Sequence, residues 1–142
     1  MQLLSQLKRF AGFEREEENC LFCEVLADRS RTVFAENASF LAVFDQFPVN
    51  EGHALLIPKR HIHTIFELRE GEALDFRAIL QLAKKELDQR FHPDGYNIGI
   101  NSGEAAGQTI AHLHVHLIPR YQGDVEDPRG GIRNFKSPLV PY

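Results

Sequence analysis

His112-Leu113-His114-Val115-His116-Leu117-Ile118, followed by Pro119 and Arg120, alternates histidine with apolar residues over its first six positions. Strict alternation with a β-branched residue inside it predicts a strand. Successive strand side chains point to opposite faces, so His112, His114 and His116 share one face and Leu113, Val115 and Leu117 the other. The apolar set is expected to pack on the core, which leaves the histidine set as the working face. At roughly 3.3 Å per residue the outer two histidines start about 13 Å apart. Zinc–nitrogen bonds are only about 2 Å long, so one metal ion cannot hold all three. The row must divide its labour.

Working outward, Asn101-Ser102-Gly103-Glu104-Ala105-Ala106-Gly107-Gln108-Thr109 leads into that strand. Small residues of this kind let a backbone approach a ligand and turn N–H groups toward an anion. Tyr96–Ile100 predicts a strand before the loop. Between Glu72 and Phe91, apolar residues at helical spacing mark one long amphipathic helix, stopped by Pro93 and Gly95. His92 is expected at its exposed end. Upstream, Val33–Glu36 and Ser39–Phe44 predict a hairpin, with Asp45 projecting at its tip, and His53–Pro58 predicts a third strand. Thr64–Leu68 suggests a helical turn, and residues 2–11 a short amphipathic helix. The expected fold is α+β: a mostly antiparallel sheet of about five strands, one long and one or two short helices, and helices packed on one side. A single domain over 1–142 is expected, with a helical extension over 1–18 and an irregular tail over 121–142.

The chain carries 16 Lys+Arg and 20 Asp+Glu, a net charge of -4, which argues against broad binding to nucleic acid or anionic membrane. No run approaches 18 apolar residues, and Met1–Phe10 lacks the apolar core of a signal peptide. Cys20 and Cys23 form a Cys-x-x-Cys pair, too close to staple a fold, and read as thiols or metal ligands in a reducing cytoplasm. As a metal knuckle the pair needs two further ligands from downstream. A catalytic metal held by the histidine strand itself, as in barrel-type metalloenzymes, is an open alternative at this point.

The histidine strand, the preceding Gly107-Gln108-Thr109 and the upstream Gly52-His53-(apolar)4-Pro58 together resemble the histidine triad family, from about Cys20 to Arg120. The Cys20/Cys23 pair is similar to that of zinc-containing members, and the His-x-His strand also resembles the galactose-1-phosphate uridylyltransferases. Ala106–Thr109 with Pro119-Arg120 looks closer to the Fhit-like dinucleoside polyphosphate hydrolases, whereas Asn101 matches the Hint branch. The resemblance implies that His114 is the nucleophile, forming a transient nucleotidyl-histidine. A neutral imidazole, with a reference pKa of about 6.5, suits that role near neutral pH. It implies that His116 stabilises phosphate charge, and that Thr109 and Asn101 donate to the phosphate, beside Gly107 and Gln108. It also implies that Asp45 accepts from ribose and that His53 supports the triad from behind. A structural zinc on Cys20, Cys23, His61 and His112 follows from the same source. His61 is preferred to His63 because Pro58-Lys59-Arg60-His61 matches the Pro-x-x-His of the related transferases. Expected substrates are dinucleoside polyphosphates first and adenosine phosphoramidates second, with magnesium on a polyphosphate and a homodimer in which exposed apolar residues of the long helix take part. A nucleotide-binding module with little turnover is the remaining alternative.

Overall fold

A computed structural model describes residues 20–29 and 31–142; the expected helix over 2–11 lies outside them. Helix α1 spans Leu21–Asp28, followed by strands β1 (Val33–Glu36), β2 (Phe40–Phe44) and β3 (Ala54–Pro58). Helix α2 spans Glu70–Phe91, and strands β4 (Gly95–Gly99) and β5 (Val115–Arg120) complete the regular structure of the described residues with three short 3₁₀ turns. The five strands form one sheet in the order β1-β2-β3-β5-β4, and every neighbouring pair is antiparallel.

The alternation of β2 and β3 divides the core in two. Phe40, Ala42, Ala54 and Leu56 point to the face that α2 covers with Ile79, Ala83 and Leu87. These helix residues recur every fourth position, the stripe that faces a sheet. Val43, Leu55 and Ile57 point to the opposite face, where α1 places Phe22 and Val25. The helices therefore cover both faces rather than one. The short helix escapes the reading of Cys20–Cys23 as a bare knuckle because its two anchoring residues make up less than one turn of apolar signal.

α2 begins at Glu70, two residues before the expected start, because the Glu72 carboxylate accepts the Arg69 N–H at 2.9 Å and closes the first turn. It ends at His92, which is exposed, takes the left-handed conformation (φ 51°), and precedes Pro93. The tail beyond Arg120 is irregular apart from a 3₁₀ turn over Gly131–Arg133. Among the described residues, no helix is long and apolar enough to cross a membrane.

Strand β5 starts at Val115, three residues later than the alternation predicts. The Leu113 N–H leaves the ladder to donate to the Ile62 carbonyl at 2.6 Å, tying this segment to the stretch that carries His61 and His63. The two-face pattern survives the change. Leu113, Val115 and Leu117 are buried in the α2-side core. His116 lies opposite Leu55 in the ladder and so faces the α1 side.

Candidate active site and metal centre

Three histidines in one short stretch divide into three environments. His112 is fully buried and turns its Nδ1 toward Cys20 Sγ (3.5 Å), Cys23 Sγ (3.5 Å) and His61 Nδ1 (3.1 Å). Cys23 Sγ lies 3.2 Å from His61 Nδ1. Cys20 precedes α1 and Cys23 lies in its first turn, so the helix presents both sulfurs to one point. The four donor atoms all fall within 4.8 Å of one another. A tetrahedral zinc ion with bonds of about 2.0–2.1 Å to nitrogen and 2.3 Å to sulfur requires edges of about 3.3 Å (N–N) and 3.6 Å (S–N). The observed separations fit that ion.

The rest of His112 supports the fit. Its Nε2–H donates to the Pro58 carbonyl at 2.8 Å, which fixes the tautomer and leaves the Nδ1 lone pair facing the thiols. Burial, with help from His61, His114 and His63 and against the Pro58 carbonyl, lowers the His112 pKa to about 4. The ring is thus neutral at pH 7, as a metal ligand must be.

At the other end, His116 meets His53. Val49 N–H points at His53 Nδ1 (3.1 Å), so that nitrogen accepts and the proton sits on Nε2. His53 Nε2–H then donates to His116 Nδ1 at 2.9 Å. His116 in turn carries its own proton on Nε2. Burial lowers the His116 pKa to about 4, helped by His114 and His53 and opposed by Asp45; burial also lowers His53, again against Asp45. Asp45 Oδ2 lies 3.5 Å from His53 Nε2 and 3.9 Å from His116 Nδ1, while Oδ1 accepts the Phe47 N–H at 2.9 Å. Asp45, His53 and His116 have the ligand types of a metal site. The proton on His53 Nε2 argues against one, because a metal there would need it on Nδ1, where the Val49 N–H already points.

His114 stands between the two clusters. Its Nδ1–H donates to the His112 carbonyl at 2.9 Å, which leaves Nε2 with an in-plane lone pair. Its ring packs 5.3 Å from that of His116 and 4.9 Å from Phe22, a core residue of α1 that the pattern of histidines does not reveal.

The loop before β5 holds the remaining candidates. Gly107 is left-handed (φ 88°), a conformation that suits glycine. Asn101 Nδ2 donates to the Ala106 carbonyl at 2.6 Å. Gln108 is spent on the loop itself: its amide donates to the carbonyls of His63 and Ile110 and its oxygen accepts the Gly103 N–H. Thr109 is exposed and, with His63 and Ala111, lines an open cleft beside the loop.

The HIT domain profile matches residues 27–123. The chain belongs to the HIT family. Within it, the chain is 41% identical over 110 residues to Protein hit of Bacillus subtilis, covering 75% of each sequence. It is 38% identical over 103 residues to the adenosine 5'-monophosphoramidase of Schizosaccharomyces pombe, covering 72% of this chain and 74% of that one. Against the AP-4-A phosphorylase of Mycobacterium tuberculosis it is 35% identical over 100 residues, 70% of this chain but 51% of that one. A Zn-bound histidine triad family protein from Mycobacterium smegmatis superposes with a TM-score of 0.68 at 33% identity, over 76% of this chain and 79% of that one. The HIT profile begins after Cys20 and Cys23, so the four-residue cluster joins α1 to the HIT domain proper.

Proposed function

We propose that this HIT protein is a nucleotidyl hydrolase or transferase that cleaves at the α-phosphorus of a nucleoside monophosphate joined to a leaving group. The observation that carries the reading is the orientation of His114. With Nδ1–H held by the His112 carbonyl, the Nε2 lone pair is the one free to attack. Nε2 forms a bond to phosphorus, and the bond to the leaving group breaks with its electron pair going to that group, which takes up a proton from solvent. Water then adds its oxygen to phosphorus and gives a proton to solvent, and the P–N bond breaks with its electron pair returning to Nε2, regenerating neutral His114. His116, whose proton the His53 hydrogen bond keeps on Nε2, donates to a phosphate oxygen as charge builds there. Thr109, Asn101 and the Gly107 backbone flank the phosphate from the loop, and Asp45 is the candidate ribose acceptor.

Cys20, Cys23, His61 and His112 would hold a zinc ion, which would supply structural rigidity rather than acid or nucleophile chemistry. His112 would be its ligand, and through its carbonyl it is the partner that aims His114. A homodimer is the proposed assembly, with Leu74 and Leu82 of α2 as exposed apolar side chains available to it.

Two substrate classes follow from the relatives. An AP-4-A phosphorylase among them supports dinucleoside polyphosphates. The phosphoramidase is matched over 74% of its length, against 51% for the phosphorylase, and supports adenosine phosphoramidates as the second reading. Intact-mass measurement after brief mixing with diadenosine tetraphosphate tests the chemistry. An added AMP mass that is absent in His114→Ala is expected. No adduct and no AMP release from either substrate class would overturn it and leave a nucleotide-binding module.

A further inference from the structure

His53 controls the proton on His116 only while the Val49 N–H stays on His53 Nδ1. That N–H belongs to an irregular loop between β2 and β3, and the loop's own apolar side chains do nothing to hold it: Phe47 is 84% exposed and Val49 70%. Burial of such side chains is the usual force that fixes a segment. Here polar contacts do it. The Asn50 amide donates both hydrogens, one to the Pro119 carbonyl at 3.0 Å and one to Asp124 Oδ2 at 2.7 Å. Asp124 is itself immobilised by a two-point ion pair, accepting from Arg120 Nε at 2.8 Å and from Arg120 Nη2 at 2.9 Å. The Tyr121 N–H adds a third donor at 3.0 Å. Asn50 also accepts the His53 N–H on its carbonyl at 3.1 Å, so one residue grips both the end of β5 and the start of β3.

We propose that Asn50 and Asp124 are positioning residues for the reaction, clamping the Val49 N–H against His53 and thereby fixing which nitrogen of His116 carries its proton. The inference rests on the proposed role of His116 as a donor to phosphate. The link is mechanical. Without the amide of Asn50, the loop keeps only the Tyr121 hydroxyl, which donates to the Glu51 carbonyl at 2.8 Å, as a side-chain tie to the end of β5, and the Val49 N–H is released to move off His53 Nδ1 and let water replace it. Either His53 nitrogen can then hold the proton. When it sits on Nδ1, His53 Nε2 becomes an acceptor, His116 must place its own proton on Nδ1, and its Nε2 no longer donates to a phosphate. No atom of Asn50 or Asp124 needs to touch substrate.

The test reads tautomers in the resting, zinc-loaded protein, by long-range ¹H–¹⁵N correlation of the imidazole nitrogens. Wild type is expected to show single Nε2–H forms for His53 and His116. Asn50→Ala is expected to show a mixture at both, and Asp124→Asn the same change to a smaller extent, so that the second variant decides if the first does not fold. Asn37→Ala is the control: it removes a comparable loop clamp, the bond from Nδ2 to the Asp75 carbonyl at 2.7 Å, and leaves the tautomers as in wild type. In turnover, Asn50→Ala is expected to lower kcat in proportion to the fraction of His116 that leaves the Nε2–H form, with KM within about twofold, the signature of misplacement rather than lost binding. Unchanged His53 and His116 tautomers in the Asn50 and Asp124 variants would overturn the clamp, even in an active enzyme. Absence of turnover in wild type would overturn the proposed activity and leave the tautomer result standing.

Discussion

His61 and His112 bring their Nδ1 atoms to 3.1 Å, and His53 and His116 bring Nε2 and Nδ1 to 2.9 Å. The separations are nearly the same, and the chemistry they support is opposite. In the first pair the far nitrogen of His112 donates to the Pro58 carbonyl, so the near nitrogen is a lone pair, and two cysteine sulfurs stand beside it. In the second pair the far nitrogen of His53 receives the Val49 N–H, so a proton lies between the rings. A backbone carbonyl turns a lone pair toward its cluster, as a metal ligand needs, and a backbone N–H turns a proton toward its own. The identity of a histidine cluster is decided at the ring atom that points away from it.

Removing the group between the two pairs has the largest expected effect. His114→Ala should abolish nucleotidyl transfer, lowering kcat by at least about 10³-fold, because it removes the Nε2 lone pair that the bond from Nδ1–H to the His112 carbonyl sets up for attack. Zinc content, measured by elemental analysis, should remain at the wild-type value, since His114 belongs to neither cluster. A variant that lost zinc would mean that the two pairs are not chemically separate.

Next comes the metal pair. Cys23→Ser or prolonged chelation should release zinc and lower the thermal midpoint by several degrees or more, a destabilisation on the order of 3 kcal/mol. His53→Ala should leave zinc bound while lowering kcat about ten- to hundredfold. The two variants therefore sort in opposite ways on metal content. Zinc loss in His53→Ala would erase the distinction drawn above.

The alternation at 112–118 made the sheet and the histidine face readable, because period-2 burial is a local property of sequence. Residues that act through their side-chain type were readable too: Cys20, Cys23, His61 and His112 converge as expected. The start of β5 was not. Whether His112 belongs to the ladder depends on where the Leu113 N–H donates, and Ile62 is distant in sequence. Gln108 shows a different limit. An amide at that position suits a phosphate ligand or a loop staple equally well, and only the placement of His63 and Ile110 reveals the second. The Val49 N–H leaves no trace in the sequence at all, since every residue but proline carries one.

Acid should expose the shared cost of keeping both pairs neutral. His112 and His116 are lowered from about 6.5 to about 4 in the folded protein. Between those values the unfolded chain binds more protons than the folded one, so stability falls as pH drops from about 6.5 toward 4, and levels below it. In metal-free protein His112 and His116 contribute, and His53, which burial also lowers, adds to the same fall. His116→Asn should make the slope shallower in urea titrations at several pH values. An unchanged slope would place the acid sensitivity elsewhere.

The smallest expected effect concerns Asp45, and it separates two roles that the geometry brings together. Its Oδ2 lies close enough to His53 and His116 to favour their protonated forms, and the same atom is the candidate acceptor for ribose hydroxyls. Asp45→Asn keeps the shape and an acceptor oxygen but removes the charge. If the carboxylate serves chiefly the sugar, KM rises by roughly tenfold, the cost of weakening a charge-assisted hydrogen bond, and kcat stays within about twofold. If it serves the histidine pair, KM holds, and both rings become harder to protonate because an opposing negative charge has gone. A ribose contact is an interaction kept from ground state to transition state, whereas a charge beside the histidine pair matters only as phosphate charge develops. The larger change in KM is the expected result, because Asp45 Oδ2 stands 3.5 Å from His53 and 3.9 Å from His116, beyond good hydrogen-bond length to either ring.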